Sequence, residues 1–172
     1  MTGKTKGQVT VTLPTHEKNL RLPAGEASII TRDVCQDLLH RILKEPVVIH
    51  ISTSNKKKFP ELAELAKVFR FDLYSASVLP DIVVADTGYD DLRLAFVEVV
   101  HSDGAITELR KEALLKIADE VGVPREHVKL ITAFEDRDAP SFKKRISELA
   151  VGSDVWFRTE PDHLMSIKVL GD

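Results

Sequence analysis

Pro80-Asp81-Ile82-Val83-Val84-Ala85, a turn at Asp86-Thr87-Gly88-Tyr89-Asp90, and the run from Leu92 to Val100 decide how this chain folds. Both flanking runs are apolar and rich in β-branched residues, and the segment between them has turn composition, so they read as a hairpin. One strand carries an acid at its head, Asp81; the other carries an acid inside it, Glu98, with 16 residues between the two. Glu98 has Val97 and Val99 beside it and a long apolar run before it. A carboxylate inside an apolar strand is costly unless something compensates it. A divalent ion would do so: Mg²⁺ takes oxygen ligands, usually one or two carboxylates plus water and phosphate. Acids on adjacent strands can hold such an ion against a scissile phosphate, where it polarises the phosphoryl group and acidifies the attacking water. A plainer reading stands beside this one. Pro-Asp is a common turn pair, repeated at Pro161-Asp162, and an isolated strand Glu often faces solvent or a basic neighbour.

Downstream, Thr107 opens a helix to about Val121, with Leu109, Ala113, Leu114, Ile117 and Ala118 inward and Gly122 as its C-cap. A strand at Val128–Thr132, a helix at Ser141–Leu149 and closing strands at 155–157 and 166–170 follow. Upstream, Gln8–Leu13 alternates like an edge strand or a loose arm. Thr31 is read as capping a helix over about 32–44, Pro46 stops it, and Val47–Ile51 is a buried strand. Pro60 starts another helix. Strands and helices alternate, which predicts an α/β domain around a mixed sheet. The expected division is a polar arm or edge strand over residues 1–19 and one domain over 20–172.

The 172 residues are 43% apolar and 30% charged, ordinary for a globular protein, and no apolar run reaches the length of a membrane span. The single cysteine, Cys35, makes no intrachain disulfide or structural zinc site and reads as a small core residue. These features fit the cytoplasm. A net charge of −3 argues against coating nucleic acid by charge alone.

An ordered set of landmarks resembles the catalytic domain of BsuBI/PstI-type restriction endonucleases, a branch of the PD-(D/E)XK nucleases. These are Pro80-Asp81-Ile82-Val83-Val84, Val97-Glu98-Val99-Val100-His101-Ser102-Asp103-Gly104, Ile131-Thr132-Ala133-Phe134-Glu135-Asp136-Arg137, Phe142-Lys143-Lys144, Asp154-Val155-Trp156 and Glu160-Pro161-Asp162-His163-Leu164. The resemblance implies a restriction-endonuclease-like PD-(D/E)XK core, a mixed sheet flanked by helices. It implies Mg²⁺-dependent hydrolysis of double-stranded DNA in restriction or defence, with Mn²⁺ as a substitute ion. Asp81 and Glu98 would then bind the metal. A homodimer is expected from the two-fold symmetry of palindromic DNA.

The chain departs from the family pattern in ways that bear on catalysis. The place two after the Glu, usually lysine in the wider class, is Val100, as in the family itself. The family's Lys-Arg pair early in the next helix is Leu109-Arg110 here, with Lys111 following; Arg110 and Lys111 are the candidates for the basic residue that orients the attacking water and offsets phosphate charge. The family's Gly-Asp-Thr-Gly loop reads Ser52-Thr53-Ser54-Asn55, and the histidine of its Ser-His-Gly loop is Asp103. The helical domain that family members carry ahead of the nuclease domain has no counterpart before residue 20. A further domain or a partner is therefore expected to contribute to recognition. Candidate DNA contacts are Lys56, Lys57, Lys58, Ser102, Lys143 and Lys144, although a lysine run is more often simply solvated. The competing reading is a catalytically degenerate nuclease fold that binds DNA or protein.

Overall fold

The computed structural model describes residues 7–14, 18–55, 59–71, 79–102 and 104–171. A hairpin of β1 (Val9–Thr12) and β2 (Asn19–Leu22) precedes a long helical segment. That segment runs through α1 (Glu26–Asp33), a π-helical stretch (Val34–Leu38) and α2 (Leu39–Ile42). Then come β3 (Pro46–Ile51), α3 (Pro60–Val68), β4 (Ile82–Asp86), β5 (Arg93–Val100), α4 (Glu108–Glu120) and β6 (Val128–Phe134). The chain closes through α5 (Pro140–Arg145), β7 (Asp154–Phe157) and β8 (Leu164–Ser166). Strands β3 to β8 form one six-stranded sheet in chain order. Pairing is antiparallel from β3 to β5, parallel from β5 to β7, and antiparallel at β8. The expected mixed α/β sheet is what the chain forms.

Both faces of the sheet are covered, which is why β4 and β5 are near-continuous apolar runs rather than alternating ones. On one face Val84, Ala95, Val97 and Ile131 meet Ile30, Val34, Leu38 and Leu39 of the helical segment and Val11 and Leu22 of the hairpin. Cys35 belongs to this core, and burial pushes its thiol up to about 12, so it stays a neutral thiol. On the other face Val83, Leu94, Phe96 and Leu130 meet Leu114, Leu115, Ile117 and Ala118 of α4. Phe134, Phe142 and Phe157 close the far end edge-to-face, with centroids 5.2 Å (Phe134–Phe142) and 4.8 Å (Phe142–Phe157) apart. Each such ring pair adds about 1 kcal/mol beyond area burial. Among the described residues no helix is long and apolar enough to cross a membrane.

Several boundaries differ from the sequence reading. Thr31 does not cap a helix: the helix begins at Glu26, after Gly25, and the buried Thr31 hydroxyl donates to the Ala27 carbonyl one turn back. The expected closing strand over 166–170 lies earlier, at Leu164–Ser166, where it pairs with Asp154–Trp156. The helix expected over 141–149 starts at Pro140 and tightens into a 3₁₀ turn at Ile146–Glu148. Leu109, expected to face inward, is 85% exposed. The inward stripe of α4 runs through Leu114, Ile117 and Ala118, and stepping back one turn from Leu114 reaches Arg110, not Leu109.

Candidate active site

Strand pairing brings the two acids together. Ile82 lies opposite Val97 in the antiparallel β4–β5 register, so one step outward Asp81 faces Glu98 at the open end of the hairpin. There the regular ladder stops, and the Asp81 side chain takes over: its Oδ2 accepts from the Val99 N–H at 2.8 Å. The Asp81 carbonyl accepts from the Ser52 N–H at 2.7 Å, which extends the β3–β4 pairing to the same point. The Ser52–Asn55 stretch therefore starts beside the acids.

Side chains alternate along β5, so Glu98 shares the α4 face with Phe96. It is 7% exposed. Thr107 caps α4, its side chain accepting from the Arg110 N–H at 3.1 Å, which fixes the first turn of the helix over the strand. From that turn Arg110 reaches Glu98. Its Nε donates to Glu98 Oε1 at 2.7 Å, and its Nη2 lies 2.5 Å from the same oxygen. Nη2 also donates to the Leu79 carbonyl at 3.0 Å, tying the chain just ahead of Pro80-Asp81 to the site.

Burial, and then the neighbouring Asp81 carboxylate, push the Glu98 carboxyl up to about 7; Arg110 opposes both. Two carboxyls sharing one site resist simultaneous ionisation unless a cation joins them. The pair fits a hard cation that completes its shell with water and phosphate. Among the described residues no group of three or more His, Cys, Asp or Glu side chains converges.

Lys111, the other basic candidate, takes a different direction. It donates to the Val151 carbonyl at 2.7 Å and so braces the loop before β7, as expected for a residue about 100° around the helix from Arg110. Ser102 is exposed just beyond β5. Lys143 and Lys144 are exposed on α5, with Lys143 3.9 Å from Asp138. Lys56, Lys57 and Lys58 lie outside the described residues. His101 pairs with Glu26 at 2.8 Å, and His163 with Glu160 at 3.3 Å. Trp156 is fully buried, with its indole N–H on the Pro161 carbonyl at 3.1 Å, a core residue as expected. Sequence reasoning did not find the Leu79 carbonyl or the Val99 N–H. Both are backbone groups, and only the strand register, set by the alternation of β4 and β5, points to them.

The family model for the BsuBI/PstI restriction endonuclease domain matches residues 9–169. The chain belongs to this family. Its fold is similar to that of the SdaI restriction endonuclease, with a TM-score of 0.76 over 95% of this chain at 20% identity. The match spans 49% of the SdaI chain, so this domain corresponds to about half of that protein. No curated protein matched the chain.

Proposed function

We propose that this BsuBI/PstI-family domain is a metal-dependent endonuclease that hydrolyses phosphodiester bonds in double-stranded DNA, using Mg²⁺ or, in its place, Mn²⁺. The observation that carries this is the meeting of two carboxylates at the open end of the β4–β5 hairpin, one of them nearly buried. Asp81 and Glu98 would hold the ion. When bound, the ion polarises the phosphoryl group and lowers the pKa of the attacking water. Asp81 is held in orientation by the Val99 N–H. Arg110 is the cationic group within reach of a phosphate at the acids, and a guanidinium there offsets charge that builds in the transition state. Lys111 supports the site from the side, through the loop before β7. Ser102, Lys143 and Lys144 suit backbone contacts that position DNA without reading its sequence. Restriction at a defined sequence would draw on a second copy, a further domain or a partner. A two-fold dimer matches palindromic DNA.

Supercoiled plasmid incubated with Mg²⁺ and then Mn²⁺, beside Asp81→Ala and Glu98→Ala, tests the proposal. The wild-type chain should nick or linearise the plasmid, and each substitution should lower the rate at least about a hundredfold. An intact plasmid in both metals would favour the second reading, a nuclease fold that binds without cutting. The exposed Leu109 in place of the family lysine and the direct Arg110–Glu98 pair support that reading. Binding to the plasmid in Ca²⁺ then separates a DNA-binding module from a protein-interaction domain.

A further inference from the structure

Arg110 does more in this geometry than neutralise a nearby carboxylate. Its Nη2 sits between two oxygens from different parts of the chain, Glu98 Oε1 at 2.5 Å and the Leu79 carbonyl at 3.0 Å, and its Nε returns to Glu98 at 2.7 Å. Converging oxygens beside a second carboxylate are the surroundings a hard cation seeks, and here a guanidinium fills them. Both partners are largely withdrawn from water, with side chains 20% and 10% exposed, so the pair is shielded from solvent competition. The α4 cap at Thr107 anchors only the Arg110 backbone. The long side chain above it can leave without disturbing the helix.

We infer that Arg110 is an internal stand-in cation of the acid pair, and that a divalent ion enters only by displacing it. The inference rests on the reading of Asp81 and Glu98 as metal ligands. Once displaced, the guanidinium is a partly buried charge without a partner, and the two non-bridging oxygens of a phosphodiester can accept from its planar fork of N–H donors. Metal entry and the turning of Arg110 toward DNA are then one event. The free protein binds metal weakly, and DNA strengthens that binding because the backbone phosphate takes Arg110 away from Glu98. By reciprocity metal strengthens DNA binding equally. The arrangement keeps an ion out of the site until a substrate is present.

Mn²⁺ titration of the DNA-free protein by calorimetry tests this. Arg110→Met should bind Mn²⁺ roughly tenfold more tightly than wild type, since it removes a competing charge-assisted pair. Adding Asp81→Asn to that variant should abolish the gain. Equal or weaker binding by Arg110→Met, with wild-type binding that Asp81→Asn removes, overturns the inference and leaves the metal-nuclease reading standing. Failure of both proteins to bind Mn²⁺ at millimolar levels overturns the inference, and metal-dependent plasmid cleavage then decides the metal-nuclease reading separately. A second measurement needs no variant. The Arg110 Nε–H resonance of ¹⁵N-labelled wild-type protein should move and lose protection as Ca²⁺ saturates the site. A resonance unchanged at saturation overturns displacement.

Discussion

The two ends of the β4–β5 hairpin each bury an acid, and the two acids are treated in opposite ways. At the turn end Asp86 is buried and its carboxylate accepts three backbone N–H groups, from Lys44 at 3.0 Å, Glu45 at 2.9 Å and Gly88 at 3.1 Å. Burial alone would raise its pKa, but those donors and the Lys44 charge outweigh it and hold the carboxyl below its ordinary value. A methyl group on Gly88 would come within 2.4 Å of Lys44 Cβ, so the packing there leaves no room. At the open end Glu98 accepts from a single side chain, faces another carboxylate, and has its pKa pushed up. The backbone satisfies Asp86 completely and leaves Glu98 dependent on a cation. A fully satisfied acid holds a fold together; an unsatisfied one is available for chemistry.

The largest effects should separate the two ends by kind. Asp86→Ala leaves three partly buried backbone donors without their acceptor and should cost about 2 kcal/mol in denaturant unfolding, while metal-dependent cleavage per folded molecule stays near wild type. Glu98→Gln should do the reverse, with unfolding altered by about 1 kcal/mol and plasmid cleavage reduced by about a hundredfold or more. A large loss of cleavage in Asp86→Ala at a temperature where it is folded would break the distinction.

A smaller effect, opposite in sign at the two ends, should appear in pH dependence. The folded pKa of Asp86 lies below its unfolded value, so its contribution is present above the unfolded pKa and fades as pH falls through the folded one. The folded pKa of Glu98 lies above the ordinary 4.5, at about 7, so its contribution is present below pH 4.5 and is lost as pH rises to 7. Unfolding free energies of wild type relative to Asp86→Asn should therefore rise with pH in the acid range. Relative to Glu98→Gln they should fall between about pH 5 and 8. Slopes of the same sign would remove the contrast. The smallest effect is expected at Lys111. Lys111→Ala gives up an exposed bond to Val151 and should change stability by less than about 1 kcal/mol and cleavage by less than about threefold. A hundredfold loss of cleavage would instead make it part of the chemistry.

Much of this was legible in the sequence. The hairpin, its two acids and the α/β alternation followed from β-branched runs, turn composition and period. Asp81 and Glu98 stood out because a charged residue at an apolar position asks for a reason. Arg110 was readable too, one turn before Leu114 on the inward stripe of α4, although Leu109 was taken for that position because it is apolar. The first turn of a helix can project past its sheet, and there the apolar residue faces water while the charged one finds a partner. Thr31 misled for a related reason: a hydroxyl that caps a helix in one context bonds back to the preceding turn in another. The Leu79 carbonyl and the Val99 N–H carry no side-chain signature at all.

The sheet's strand order equals its chain order, so every strand can pair with the one made just before it. The short joins lie at β4–β5 and β7–β8, so the central hairpin is a local nucleus onto which the strands with longer connections add. One side-chain cluster runs against that economy. Arg158, just beyond β7, pairs with Glu135 at the end of β6 and, 3.2 Å away, with Asp33 at the end of α1, a contact 125 residues apart in sequence. That tie needs β7 in place beside β6, so it is added to a helical segment whose apolar face packs on β4 and β5. In refolding, an Arg158→Ala chain should build its sheet at the normal rate and differ only in how long it takes, and how firmly, to lock its first helix down.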